Sequence, residues 1–220
     1  MRTKHRMLNC ESLENRELMA GNVSVNLVAN EVRILGDNAA NQVSVHQLAS
    51  GAYRIQGQTG TTINGKAFVD MKSPDFDLRI NLGAGNDKLI VGNNIANAAM
   101  MVEDLEIDMG AGNDSVVVGN VRTTDNEFAK IRTGDGNDTV SVEKCTIKTG
   151  LKVETGAGND RLDVWKSTIN GKLEANMGAG TDQVFLTDAV FSSSFLDGGS
   201  GTDTLKRTGG KIPTKISFEL

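Results

Sequence analysis

Aromatic residues are scarce in this chain: one Trp, one Tyr and seven Phe among 220 residues. That stock is thin for lining a long sugar cleft with stacked rings. No apolar run approaches about twenty residues, so the sequence offers no membrane-spanning helix. Two cysteines, Cys10 and Cys145, match neither a zinc spacing nor a disulfide framework. His5 and His46 stand far apart and join no Ser or Cys constellation, so no nucleophile–base pair is in view. Basic residues are outnumbered, 23 against 28 acidic, for a net charge of −5. A nucleic-acid partner needs a basic stripe to neutralise phosphates, and none is present.

What the chain has in quantity is glycine, 25 in all, much of it in one recurring phrase. Gly-Ala-Gly-Asn-Asp and its variants stand at 83–87, 110–114, 134–138, 156–160, 178–182 and 199–203. The closing residues Asp87, Asp114, Asp138, Asp160, Asp182 and Asp203 are 27, 24, 22, 22 and 21 residues apart. A period of that size marks an architecture in which neighbouring repeats stack.

Apolar residues alternate on both sides of each phrase. Leu78, Ile80 and Leu82 precede Gly83, and Leu89 and Val91 follow Asp87. Leu105, Ile107, Met109 and Val116, Val118 repeat the pattern, as do the later copies. Alternation predicts half-buried strands flanking a turn. A third apolar spot follows at Ile147, Ile169 and Phe191, with a second corner at Thr149-Gly150 or Asn170-Gly171. Cys145 aligns with Ser167 and Ala189, which predicts a small buried residue.

Three short strands with one apolar face each bury nothing until copies pair above and below. The predicted fold is therefore all-β: a single right-handed parallel β-helix, or β-solenoid, over residues 21–206. It would hold roughly seven or eight three-sided coils, each of 22–27 residues. Leu35-Gly36-Asp37-Asn38 and Asn41-Gln42-Val43 read as a degraded first copy. An extra coil through Tyr53, Ile55, Ile63 and Phe68 would fill the gap before Gly83. Val23, Val25 and Leu27 read as an inward-alternating strand. Glycines at the corner take positive φ. Asn86, Asn113, Asn137 and Asn159 tolerate left-handed φ and suit a stacked Asn ladder. Residues 207–220, with Pro213, Ile216, Phe218 and Leu220, are expected to cap the open end.

The phrase resembles the repeat of hemolysin-type, or RTX, calcium-binding proteins, G-G-x-G-x-D-x-(apolar)-x. Gly198-Gly199-Ser200-Gly201-Thr202-Asp203-Thr204-Leu205 matches it in full, and Gly83-Ala84-Gly85-Asn86-Asp87-Lys88-Leu89-Ile90 matches from its second position. The resemblance implies calcium at the turns. Its ligands would be Asp87, Asp114, Asp138, Asp160, Asp182 and Asp203, with carbonyls of Gly83, Gly110, Gly134, Gly156, Gly178 and Gly199. Hard oxygen donors of this kind suit Ca²⁺. This chain has one phrase per coil, where the family runs its copies in tandem. Stacked carboxylates about 5 Å apart repel by roughly 3 kcal/mol at an effective dielectric near 20, so they need neutralising or turning into water. The competing reading of the same aspartates is structural: each closes its turn by accepting backbone N–H groups.

Residues 1–20 differ from the rest. A basic start is followed by Leu13-Glu14-Asn15-Arg16-Glu17-Leu18-Met19-Ala20. This is similar to the L-E-x-R-x-L-L-[AS] sorting element of bacterial surface and exported proteins, with Asn15 in place of Pro. The resemblance implies an N-terminal sorting or leader segment, helical or disordered, and an extracellular or cell-surface location. The functional expectation is a non-enzymatic structural or adhesive β-solenoid, with calcium, extracellular polysaccharide or other surface proteins as partners. The alternative is a carbohydrate-active β-helix, with Trp165 as a sugar contact near Arg161 and Asp163.

Overall fold

The computed structural model describes residues 21–72, 77–93 and 98–210, together with the backbone of 218–219. The leader at 1–20 and the cap residues Pro213, Ile216 and Leu220 lie outside them. The described residues are all β, with no helix, arranged as long curled mixed sheets whose pairings are mostly parallel. No helix among them is long and apolar enough to cross a membrane.

The parallel pairings follow the repeat. The strand Ser115–Gly119 lies between Lys88–Gly92 and Thr139–Glu143, with Val116 opposite both Leu89 and Val140. Arg161–Trp165, Gln183–Thr187 and Thr204–Thr208 continue the same ladder. A second ladder joins the strands before each turn: Asp77–Asn81, Leu105–Asp108, Phe128–Arg132, Gly150–Glu154 and the end of Thr168–Asn176. A third, shorter ladder runs through Met100–Val102, Val121–Thr123, Thr146–Ile147 and the start of Thr168–Asn176. Ile80, Ile107, Ile131 and Val153 thus form a buried row, as do Leu89, Val116, Val140, Leu162 and Val184. Cys145, Ser167 and Ala189 are buried together in file, as the alignment predicts.

The N-terminal part departs from the expected pattern. No extra coil separates the degraded first copy from Gly83. Leu35 pairs directly with Asn81, and Gln42 with Lys88. The intervening residues form antiparallel strands instead: Tyr53–Gly57 against Gln42–Gln47, and Phe68–Met71 against Tyr53–Gly57. Gly21–Val28 and Glu31–Leu35 make another antiparallel pair, turned by Ala29 and Asn30 at positive φ. The physical reason is that, among the described residues, no earlier repeat pairs with the first layer. An uncovered strand edge invites aggregation, and folding back covers it. Tyr53, Ile55 and Ile63 join the core, but Phe68 is 42% exposed under the Arg54 guanidinium. Leu27, expected inside, is 46% exposed because its hairpin runs past the core.

At the other end, Arg207 and Thr208 still belong to a paired strand, opposite Leu186 and Thr187. The layered region therefore runs past residue 206. The backbone of Phe218–Glu219 pairs with Leu196–Asp197.

Candidate functional site

The six Gly-x-Gly turns come together at one corner. Bridges join Ala84 to Ala111, Ala111 to Asp135, Asp135 to Ala157 and Ala157 to Ala179, and Ala179 pairs with Ser200. Glycine is dictated at two positions of each turn. Gly110 and Gly112 have φ of 94° and 141°. A Cβ on Gly110 would stand 1.6 Å from the Gly83 carbonyl oxygen, and one on Gly112 1.6 Å from that of Gly85. The exposed Asn ladder forms as expected: Asn113 N–H donates to Asn86 Oδ1 at 2.8 Å, and Asn137, Asn159 and Thr181 repeat the bond. The asparagines do not take left-handed φ; in these turns only the glycines do.

The aspartates form a second column, and it is buried. Asp87, Asp114, Asp138, Asp160 and Asp182 are at most 3% exposed, and Asp203 is 8% exposed. Each Oδ1 accepts the backbone N–H of the residue one layer earlier. Asn41 donates to Asp87 at 2.7 Å, Asp87 to Asp114 at 2.7 Å and Asp114 to Asp138 at 2.8 Å. Asp138, Asp160 and Asp182 donate onward to Asp160, Asp182 and Asp203. The carboxylates thus accept backbone N–H groups, but from the neighbouring layer and not from their own turn. Every Oδ2 is buried with no hydrogen-bond partner.

Strand parity could have revealed this inward aim. Asp87 shares the face of Leu89 and Val91, and Asp114 that of Val116 and Val118. At two layers the neighbour of the second side-chain atom is fixed. A Cβ on Gly198 would meet Asp203 Oδ2 at 2.5 Å, and one on Gly36 would meet Asn41 Nδ2 at 2.9 Å. That position, just before the first glycine, holds Leu82, Met109, Thr133, Thr155 and Met177 elsewhere, all buried.

Burial is the largest influence on these acids. It pushes Asp114 up to about 7, against the Asp87 amide, with the Asp138 and Asp87 carboxylates pushing the same way. Burial takes Asp87 to about 6, opposed by the Asn41 amide and side chain, with Asp37 adding to the rise. Asp182 also reaches about 6, raised by burial and by Asp160 and Asp203. Asp138 and Asp160 are raised by burial too, but the Thr133 and Thr155 hydroxyls beside them work in the opposite direction.

Calcium takes roughly six to eight oxygens. Each layer supplies one uncommitted carboxylate oxygen, because the other is held by an amide. Among the motif glycines, the carbonyls of Gly83, Gly156 and Gly178 accept N–H groups from the next layer. Among the described residues, no group of three or more Asp, Glu, His or Cys comes together to hold a metal. All six predicted aspartates and all six predicted glycines share the corner.

Outside this corner the surface is grooved only shallowly. Ser141, Glu143, Asp163, Trp165, Phe185 and Thr187 line a groove of about 240 Å³. Its rings already carry cations: Arg161 lies 4.2 Å over Phe185, and Lys166 and Lys144 lie 4.7 and 5.1 Å from the Trp165 ring centre. The Arg161 fork is engaged by Asp163. A further corner, unforeseen from the sequence, stacks Asn120, Lys144, Lys166 and Asp188 at φ of 49–54°. Asn120 and Asp188 have side chains that suit such a bend, and Lys144 and Lys166 do not. Compared with protein-family models, curated proteins and solved structures, the chain matches none.

Proposed function

We propose that this chain is a non-enzymatic structural module: a right-handed, three-sided parallel β-solenoid serving as a rigid rod or adhesive spacer at an extracellular or cell surface. The observation that carries the reading is residue-for-residue parallel pairing of each strand with its copy one repeat later. Such pairing stiffens a body along one axis, because each layer contacts only its neighbours. The hand follows the preference of parallel crossovers. The surface location rests on the Leu13–Ala20 resemblance, and an adhesive role there would take surface polysaccharide or other surface proteins as partners.

The enzymatic alternative finds less support. Trp165 and Phe185 are covered by cations, and Arg161 is spent on Asp163. Calcium is left out of this reading, because each layer offers one free carboxylate oxygen and the Gly83, Gly156 and Gly178 carbonyls are already engaged.

Cross-linking tests the stacking. With Cys10 replaced by Ser, Val117→Cys with Ser141→Cys should oxidise readily, since 117 and 141 are direct partners. Val117→Cys with Asp163→Cys, two layers apart, should not. Equal cross-linking of both pairs would sink the solenoid. Release of reducing ends from a polysaccharide, lost in Asp163→Asn, would instead establish an enzyme.

A further inference from the structure

The first place in the buried column is held by an amide. Gln42 pairs with Lys88, so Asn41 is the counterpart of Asp87. Asn41 Nδ2 donates to the Ala39 carbonyl at 2.8 Å, two residues back in its own turn. A carboxamide is the neutral isostere of a protonated carboxyl group. The corresponding carbonyls in later layers are those of Gly85, Gly112, Gly136 and Gly158. Among the described residues, none of these four accepts a hydrogen bond. In the same layers the Oδ2 atoms of Asp87, Asp114, Asp138 and Asp160 have no partner. An ionised oxygen buried without a donor is costly, and a protonated one becomes a donor.

We propose that Asp87, Asp114, Asp138 and Asp160 form a ladder of neutral carboxylic acids, each carrying its proton on Oδ2 and giving it to the main-chain carbonyl two residues earlier. Asp182 continues the ladder. The column is then a proton-binding site built into the rod, and the proton does the neutralising that a metal ion would do elsewhere.

The surroundings agree. The charged groups acting on the column are its own members together with Asp37 and Asp135, all acidic. No lysine, arginine or histidine is among them. Lys88 and Arg161, next in sequence, are exposed on the opposite face. From the preceding strands come Leu82, Met109 and Met177, which offer no charge, and Thr133 and Thr155, which offer hydroxyls. The upward displacement of the acids by burial points the same way. This inference rests on the corner's register alone and holds wherever the protein works.

The sign follows from linkage. A carboxyl group with a raised folded pKa binds its proton more tightly in the folded chain. Its stabilising effect is full below the unfolded pKa and is lost as pH rises through the folded one. For Asp87, Asp182 and Asp114 that loss is complete by around pH 6 to 7. Asp37, Asp70 and Glu154, whose pKa values are lowered, act oppositely and only in stronger acid.

Thermal unfolding of the full chain in chelator, from about pH 5 to about pH 8, tests the ladder. The midpoint should fall by about 5–10 °C across that range. Asp114→Asn should flatten the slope and melt higher than the parent at the alkaline end. The infrared carboxylic-acid band should be present at about pH 5 and weakened in Asp114→Asn. A midpoint that is flat or rising over the range would overturn the proposal, as would Asp114→Asn melting lower at the alkaline end. So would a large midpoint rise in millimolar calcium that Asp114→Asn abolishes, which would assign the column to the ion.

Discussion

Two columns of acidic residues run along this molecule, one inside and one outside, and they deal with repulsion in opposite ways. The outer one alternates sign. Arg79 reaches Glu31 and Glu106, Arg132 reaches Glu106 and Glu154, and Lys152 reaches Glu154. Water and counter-ions finish what those pairs leave undone, so each contact contributes little. The inner column from Asp87 to Asp203 meets no cation and almost no water. Backbone amides satisfy one oxygen per layer, and the second oxygen needs a proton. A carboxyl group is a solvated charge in one place and a neutral acid in the other. The difference is the face of the strand it occupies.

The sharpest way to break the inner side of this contrast is through the turn that builds it. Gly112→Ala places a Cβ against the Gly85 carbonyl and forces φ of 141° on an alanine. Denaturant titration should show a loss of about 3 kcal/mol or more. Gly119→Ala, with nothing closer than 4.0 Å and no positive φ, should change stability by less than about 1 kcal/mol. Next comes the acid itself. Asp114→Ala strips the acceptor from the buried Asp87 amide and should cost about 2 kcal/mol at every pH, read by the same titration. Met109→Thr sharpens the comparison by giving Asp114 the hydroxyl that Asp138 and Asp160 have. It should lower the Asp114 pKa, by about one unit, in a carboxyl-carbon NMR titration. The smallest effect belongs outside. Arg132→Met removes two half-exposed ion pairs and should cost under about 1 kcal/mol, shrinking further in high salt. Salt should leave the inner column's pH dependence nearly untouched.

Much of the layered region was legible in the sequence because a strict repeat exposes itself. Period, turn glycines and alternation place Leu89, Val116 and Val140 in one file. The inward aim of Asp87 was also legible, since it shares parity with Leu89 and Val91. The turn phrase by itself points to a calcium ligand and says nothing of burial. Other features leave no periodic trace. Residues 48–72 cover the first layer, which no earlier repeat pairs with among the described residues, a need set by the whole fold and not by local pattern. Leu27 alternates correctly, yet its hairpin overshoots the core. Lys144 and Lys166 take left-handed φ with no turn-forming side chain to announce it; the stacked corner imposes it on them. Which turn carbonyls are already engaged is decided by pairing between layers.

The amide-to-carboxylate bonds all run the same way, from each layer to the one after it. Asp138, Asp160 and Asp182 are spaced by an identical 22 residues. A duplicated stretch of that length, inserted after Asp160, would meet the same donor on one side and the same acceptor on the other. Tandem duplication of the gene segment would therefore lengthen the molecule by about 4.8 Å per copy without reworking any existing contact. Such a scaffold carries its own measuring stick, and its height is open to adjustment in whole increments.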